Sequence, residues 1–166
     1  LQGLVFRDNP RLRAISPRSP FALVGKNAGF DSKRLFPAPT TKPLRERVPE
    51  VAPPAYAPAT QVPATQTPAT PETVRAAFFT GCSFNYFYPE TGIDLIDVLR
   101  ENQIAVVVPK DQQCCGTPVL VHGDVATART LARNNIDAME RCNPRYIITG
   151  CGSCGSAWQH QFPELL

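Results

Sequence analysis

Apolar residues in the C-terminal half of the chain fall into two alternating kinds of run. Ala76–Thr80, Ile104–Val108 and Tyr146-Ile147-Ile148-Thr149 are short, carry β-branched or aromatic residues, and read as strands. Between the first two, Ile93, Leu95, Ile96, Val98 and Leu99 predict a helix that Thr91 can cap. That helix is apolar on more than one side, so deep burial is expected of it. Between the second and third strands, Val125, Ala128, Leu131, Ala132, Ile136 and Met139 recur at helical spacing and give one broad apolar face. Asp124 after Gly123 is its N-cap, and Asn143-Pro144 is its stop. Strand, helix, strand, helix, strand predicts an α/β fold with a parallel sheet and right-handed crossovers.

The pattern is lost upstream. Residues 1–50 hold seven prolines and only brief apolar runs such as Leu4-Val5-Phe6 and Phe21-Ala22-Leu23-Val24, so an irregular arm with a helical turn or two is expected. In residues 51–72, Pro, Ala and Thr fill 16 of 22 positions, and Pro-Ala-Thr recurs at 58–60, 63–65 and 68–70. Such a stretch buries too little to offset ordering entropy and reads as a disordered, semi-stiff, protease-sensitive spacer. The expected organisation is therefore an arm at 1–50, a linker at 51–72 and one domain at 73–166.

Charge sharpens that division. Residues 1–50 carry ten Lys/Arg against four Asp/Glu, whereas residues 73–166 carry seven against nine, so the net charge of +3 belongs to the arm. A basic arm suits an acidic partner surface or anionic lipid headgroups. The basic residues are not interleaved with stacking aromatics, which argues against nucleic acid. No run of 18 apolar residues spans a bilayer and no secretory leader precedes the cysteines, so the reducing cytoplasm, including the inner face of its membrane, is the expected compartment. The first residue is not Met, and an excerpt of a longer protein is expected.

Chemistry concentrates in the cysteines. Five of the six follow the spacing C-x31-C-C-G-x34-C-x2-C: Cys82, Cys114, Cys115, Cys151 and Cys154. Adjacent cysteines bridge each other only with strain, so metal explains the set better than disulfides. Thiolate-rich sets select zinc, copper(I) or iron-sulfur clusters. Each group lies in a loop after a predicted strand, and in a parallel sheet those loops share the carboxyl edge where such folds bind ligands. Gly81, Gly116, Gly150, Gly152 and Gly155 flank the thiols and permit close backbone approach. The run Phe84-Asn85-Tyr86-Phe87-Tyr88 is placed to wall the site or to pack as core and lid. Cys142, at the end of the second helix, reads as a structural thiol. His122 and His160, the only histidines, read as surface or satisfied residues, and Trp158 and Phe162 as packing at the core edge.

The Cys-Cys-Gly and Cys-x-x-Cys spacing resembles the CCG-type cysteine-rich domain of heterodisulfide reductases and of the glycolate and lactate oxidase iron-sulfur subunits. The phrase Lys42-Pro43-Leu44-Arg45-Glu46-Arg47-Val48-Pro49-Glu50 also resembles the segment preceding the first such domain in the glycolate-oxidase type. The resemblance implies a three-layer, parallel βαβ-type domain. It implies a noncubane [4Fe-4S] cluster on Cys82, Cys114, Cys115, Cys151 and Cys154. It further implies an electron-transfer subunit served by an FAD-containing oxidase or dehydrogenase, with ferredoxin-like and second CCG domains elsewhere in the parent chain. Relatives carry two such motifs and this chain one, so it is expected to be the first of a pair. Two other readings stay open: a heterodisulfide-reductase-like catalytic cluster acting on thiol or disulfide substrates, and a structural zinc module using four of the five thiolates. No phosphate loop, G-x-S-x-G elbow or H-E-x-x-H is present, which leaves kinase and hydrolase readings without support.

Overall fold

A computed structural model describes residues 6–7, 14–15, 39–55 and 74–166. The chain divides at Lys42–Pro43 into two units. In the first, β1 (Phe6–Arg7) and β2 (Ala14–Ile15) pair antiparallel, with Phe6 opposite Ile15. The arm's other apolar runs lie outside the described residues.

The second unit is an α/β domain. Its elements are α1 (Leu44–Arg47), β3 (Val51–Ala52), β4 (Arg75–Phe78), α2 (Pro89–Glu101), β5 (Ala105–Val107), α3 (Thr117–Val121), α4 (Val125–Glu140), β6 (Tyr146–Ile148), α5 (Gly152–Ser156) and α6 (Phe162–Leu165). Wider π-type turns occupy Ser83–Phe87 and Ala157–Gln161. The sheet order is β3-β5-β4-β6. β4 runs parallel to both neighbours, with Ala76 opposite Val106 and Tyr146, while β3 closes the β5 edge antiparallel.

The two-residue period of the strands sends alternate side chains to opposite faces. Phe78, Val106 and Val108 join Ala52, Leu44 and Ile96 on one side. Ala77 and Phe79 join Ala132, Met139, Ala157 and Phe162 on the other. Helices thus cover both faces, giving three layers. Full burial of Phe78, Phe79, Leu44 and Phe162 contributes roughly 1.5–3 kcal/mol each.

Two expectations are corrected here. The domain does not begin at residue 73, because residues 43–55 belong to it. Leu44 is 0% exposed, and β3 supplies main-chain partners to β5, an edge that would otherwise lie open. The Val108 amide extends that closure by donating to the Glu50 carbonyl at 2.7 Å. Arg45 donates to the carbonyls of Lys110 and Gln112, and Lys110 returns bonds to the carbonyls of Arg45 and Val48. The rest of the expected linker, 56–72, lies outside the described residues. Thr91 does not cap α2 either. Pro89 starts the helix two residues earlier, its fixed φ already helical and its absent N–H costing nothing at that position. Asp124 caps α4 as expected, accepting from the Thr127 amide at 3.0 Å.

Candidate metal centre

The loops leaving the carboxyl ends of β4, β5 and β6 carry the cysteine groups to one edge of the sheet. The loop after β4 leads to α2 on one face, whereas the loop after β6 leads to α5 and α6 on the other. A crevice opens where neighbouring connections diverge in this way.

Local backbone geometry brings the loops close. Gly81 has φ +55°, and a Cβ there would stand 2.8 Å from Cys154 Sγ, so only glycine lets the β4 loop meet the thiol. Gly116 has φ +80°; a Cβ would stand 3.3 Å from Leu131 Cδ1 and 3.6 Å from Ala128 Cα, so the loop lies directly on α4. Cys151 is the extended residue before α5, and its amide donates to Thr149 Oγ1 at 3.3 Å. Cys115 and Cys154 are buried, and Cys82, Cys114 and Cys151 are half-buried.

The five thiols form one linked set. Cys115 is in hydrogen-bonding contact with Cys114 and Cys154, Cys154 also meets Cys151, and Cys114 feels the charge of Cys82. Cys115 is the member favoured as thiolate. Bonds from Cys114 first, then Cys154, hold its pKa far below the ordinary thiol value, and the Thr117 side chain and amide add to this. The same contacts with Cys115, more than burial, push Cys114 and Cys154 up, since each acts as donor. Thr117 Oγ1 lies 3.4 Å from Cys115 Sγ and 2.9 Å from Gln161 Oε1, so its one hydroxyl proton serves either the thiolate or the amide.

Cys142 stands apart, half-buried at the end of α4 with Sγ donating to the Ala138 carbonyl at 3.4 Å. Burial pushes its thiol up. His122 is exposed, its Nδ1 2.7 Å from the Pro118 carbonyl, and His160 is exposed on the second π-type turn. The aromatic run divides. Phe84 turns inward against Phe78, at 6.0 Å between centroids, and its ring lies where a Cβ on Gly150 would fall. Asn85 is buried, while Tyr86, Phe87 and Tyr88 stay 37–43% exposed. Phe79, Trp158 and Phe162 form an edge-to-face stack, 5.5 and 4.8 Å between centroids, beside the buried thiols.

This donor set fits a soft, anionic, multi-metal group. It is all thiol, and Trp158, packed against the same core as Cys115 and Cys154, holds a buried Nε1–H with no acceptor. Thiolates and sulfides are acceptors such a donor can use. Among the described residues, no three His, Cys, Asp or Glu side chains are gathered to hold a single metal ion. The thiols run instead as a string of neighbours.

Sequence reasoning missed two amides. Gln112 is buried: its Oε1 accepts from the Thr80 amide (2.8 Å) and hydroxyl (3.1 Å), and its Nε2 donates to the carbonyls of Phe78 (3.1 Å) and Pro109 (3.0 Å). Asn135 lies on α4 beneath the Cys114 loop. The one trace of it in sequence is a polar residue seven positions after Ala128, on the helix face otherwise kept apolar.

Residues 76–158, half of the chain, match the family model for the CCG cysteine-rich domain. An uncharacterized iron-sulfur protein of Methanococcus maripaludis is 33% identical over 93 residues, 56% of this chain and 19% of that protein. One subunit of the fumarate reductase (CoM/CoB) of Methanothermobacter marburgensis is 38% identical over 90 residues, 54% of this chain and 18% of that subunit. Lactate utilization protein A 1 of Bacillus mycoides is 33% identical over 92 residues, 55% of this chain and 36% of that protein. The matched stretch is thus a small part of each relative's length. No solved structure matches the chain.

Proposed function

The chain belongs to the CCG cysteine-rich domain family, and on that premise we propose that Cys82, Cys114, Cys115, Cys151 and Cys154 hold a noncubane [4Fe-4S] cluster in an electron-transfer subunit of an oxidoreductase. One observation supports the reading: thiols from three separate loops come together at the carboxyl edge of the sheet, with Cys114, Cys115, Cys151 and Cys154 as linked neighbours and Cys82 near enough for its charge to act on Cys114. A zinc ion uses four thiolates about one point, whereas a string of five suits several irons, each with its own ligands. When bound, the cluster supplies one-electron redox chemistry.

The chain's own residues do the rest. Cys115, favoured as thiolate, already has the form in which a thiol binds metal. Phe79 and Trp158, packed in the same core as the buried thiols, hold water away from them, which tunes the potential of such a group. The relatives named as an iron-sulfur protein, as part of a fumarate reductase and as lactate utilization protein A support a subunit role. In the finer reading, this is the glycolate/lactate oxidase type. An FAD-containing partner oxidises a 2-hydroxy acid in the cytoplasm, and electrons pass through this domain towards a quinone or another carrier. Ferredoxin-like and second CCG domains complete the parent protein. No helix among the described residues is long and apolar enough to cross a membrane.

Anaerobically prepared protein is expected to contain iron and acid-labile sulfide at about four of each per chain, both lost in air. Stoichiometric zinc without iron, in protein made with ample iron, overturns the assignment.

A further inference from the structure

We propose that Asn135 is a positioning residue for the metal centre. Its amide fixes the Cys114-Cys115 loop in the conformation that presents both thiols, an inference that rests on the cluster reading above. Asn135 is 0% exposed in a sixteen-residue helix whose other buried residues are Ala128, Ala132, Ala138 and Met139. A buried amide costs free energy unless its hydrogen bonds are made, so its presence needs a reason that packing does not give. The reason lies in what it touches. Oδ1 accepts from the Gln113 amide at 2.6 Å, and Nδ2 donates to the Cys114 carbonyl at 2.9 Å. One side chain thereby grips the main chain on either side of the Gln113–Cys114 step.

The loop needs that grip. Residues 111–116 form no ladder or helix of their own, and buried main-chain groups must find partners elsewhere. Gly116 lies on Leu131 and Ala128 of the same helix, so α4 meets the loop at two points: van der Waals contact behind Cys115 and hydrogen bonds ahead of Cys114. Ala128 and Ala132, both buried and small, let the loop descend far enough for the amide to reach. Gln112 performs the neighbouring task. It ties Thr80, two residues before Cys82, to the turn after β5. Asn135 then carries the register onward to the thiols.

The test compares the wild-type chain with Asn135→Ala and Asn135→Asp. Alanine removes both bonds. Aspartate keeps an acceptor for the Gln113 amide but sets an oxygen against the Cys114 carbonyl. Each is followed as apoprotein by thermal melting, then reconstituted anaerobically with iron and sulfide. Iron retention against a chelator and the electron paramagnetic resonance signature of the cluster are then recorded. Both variants are expected to fold, to hold iron about 10-fold less firmly, and to show an altered signature. Retention and signature equal to wild type, in variants that melt lower, overturn the positioning role and leave Asn135 a fold residue. Failure of both variants to fold as apoproteins overturns it as well, since the amide would then hold the core and not the loop. A wild-type chain that takes up no iron instead overturns the cluster reading, and this inference with it.

Discussion

Cys115 sits at the centre of the thiol set, beside Cys114, Cys154 and the amide and side chain of Thr117, whereas the Cys142 thiol bonds to the Ala138 carbonyl and none of the other thiols acts on it. Cys115→Ser should therefore abolish cluster assembly, and Cys142→Ser should leave iron content near that of the wild type; iron and sulfide analysis of both proteins checks this. Equal loss from the two changes would remove the distinction between them. The cysteines could be picked out in the sequence because their spacing is tied to a repeating strand-loop pattern, and convergence follows from the direction of a parallel sheet. Asn135 and Gln112 were not legible. An amide's role depends on which main-chain groups a loop leaves unpaired, and that is settled only by the path of residues 111–116. Phe84 and Tyr86 illustrate the same limit. They stand in one aromatic run, yet one turns in beside Gly150 and the other faces out, because the π-type turn changes the angle between successive side chains.

At the scale of elements, the three parallel strands and the two long helices follow from apolar periodicity, and α4 keeps its expected cap and its apolar face apart from an exposed Val125. What periodicity does not disclose is short and tertiary. Two residues, Val51 and Ala52, have no period to read; their strand exists because β5 offers an unpaired edge. Leu44 looks like a stray apolar residue among charges, yet it is wholly buried. It packs so tightly on α2 that a side chain at Gly92 would collide with its Cδ1. Leu44→Ala should lower stability by about 2–5 kcal/mol, the usual range for a fully buried leucine. Denaturant unfolding monitored by circular dichroism measures it. An unchanged midpoint would mean that the segment ahead of β3 contributes nothing to the domain and that its edge can open freely.

On the scale of the whole molecule, the architecture separates two jobs. The sheet edge gathers thiols, and the polar groups acting on Cys114, Cys115 and Cys154 are the other thiols, Thr117 and the Gly116 amide. Oxidising a 2-hydroxy acid requires a base for the hydroxyl proton and an acceptor for the hydride or electron pair. A set of thiolates around a one-electron centre supplies neither. The chain loaded with cluster but without partners should accordingly show no turnover of glycolate or lactate. Its visible absorption should bleach only when a reduced flavoprotein is added, with contact through the basic arm or the exposed Tyr86-Phe87-Tyr88 run next to Cys82. Anaerobic mixing followed by absorbance, with and without the flavoprotein, separates the cases. Bleaching by the hydroxy acid alone would show that the chain holds an acid–base site of its own. Reductive cleavage of a disulfide by the isolated loaded chain would replace the relay with a catalytic cluster, because an iron with an open position must then bind the substrate's sulfur directly.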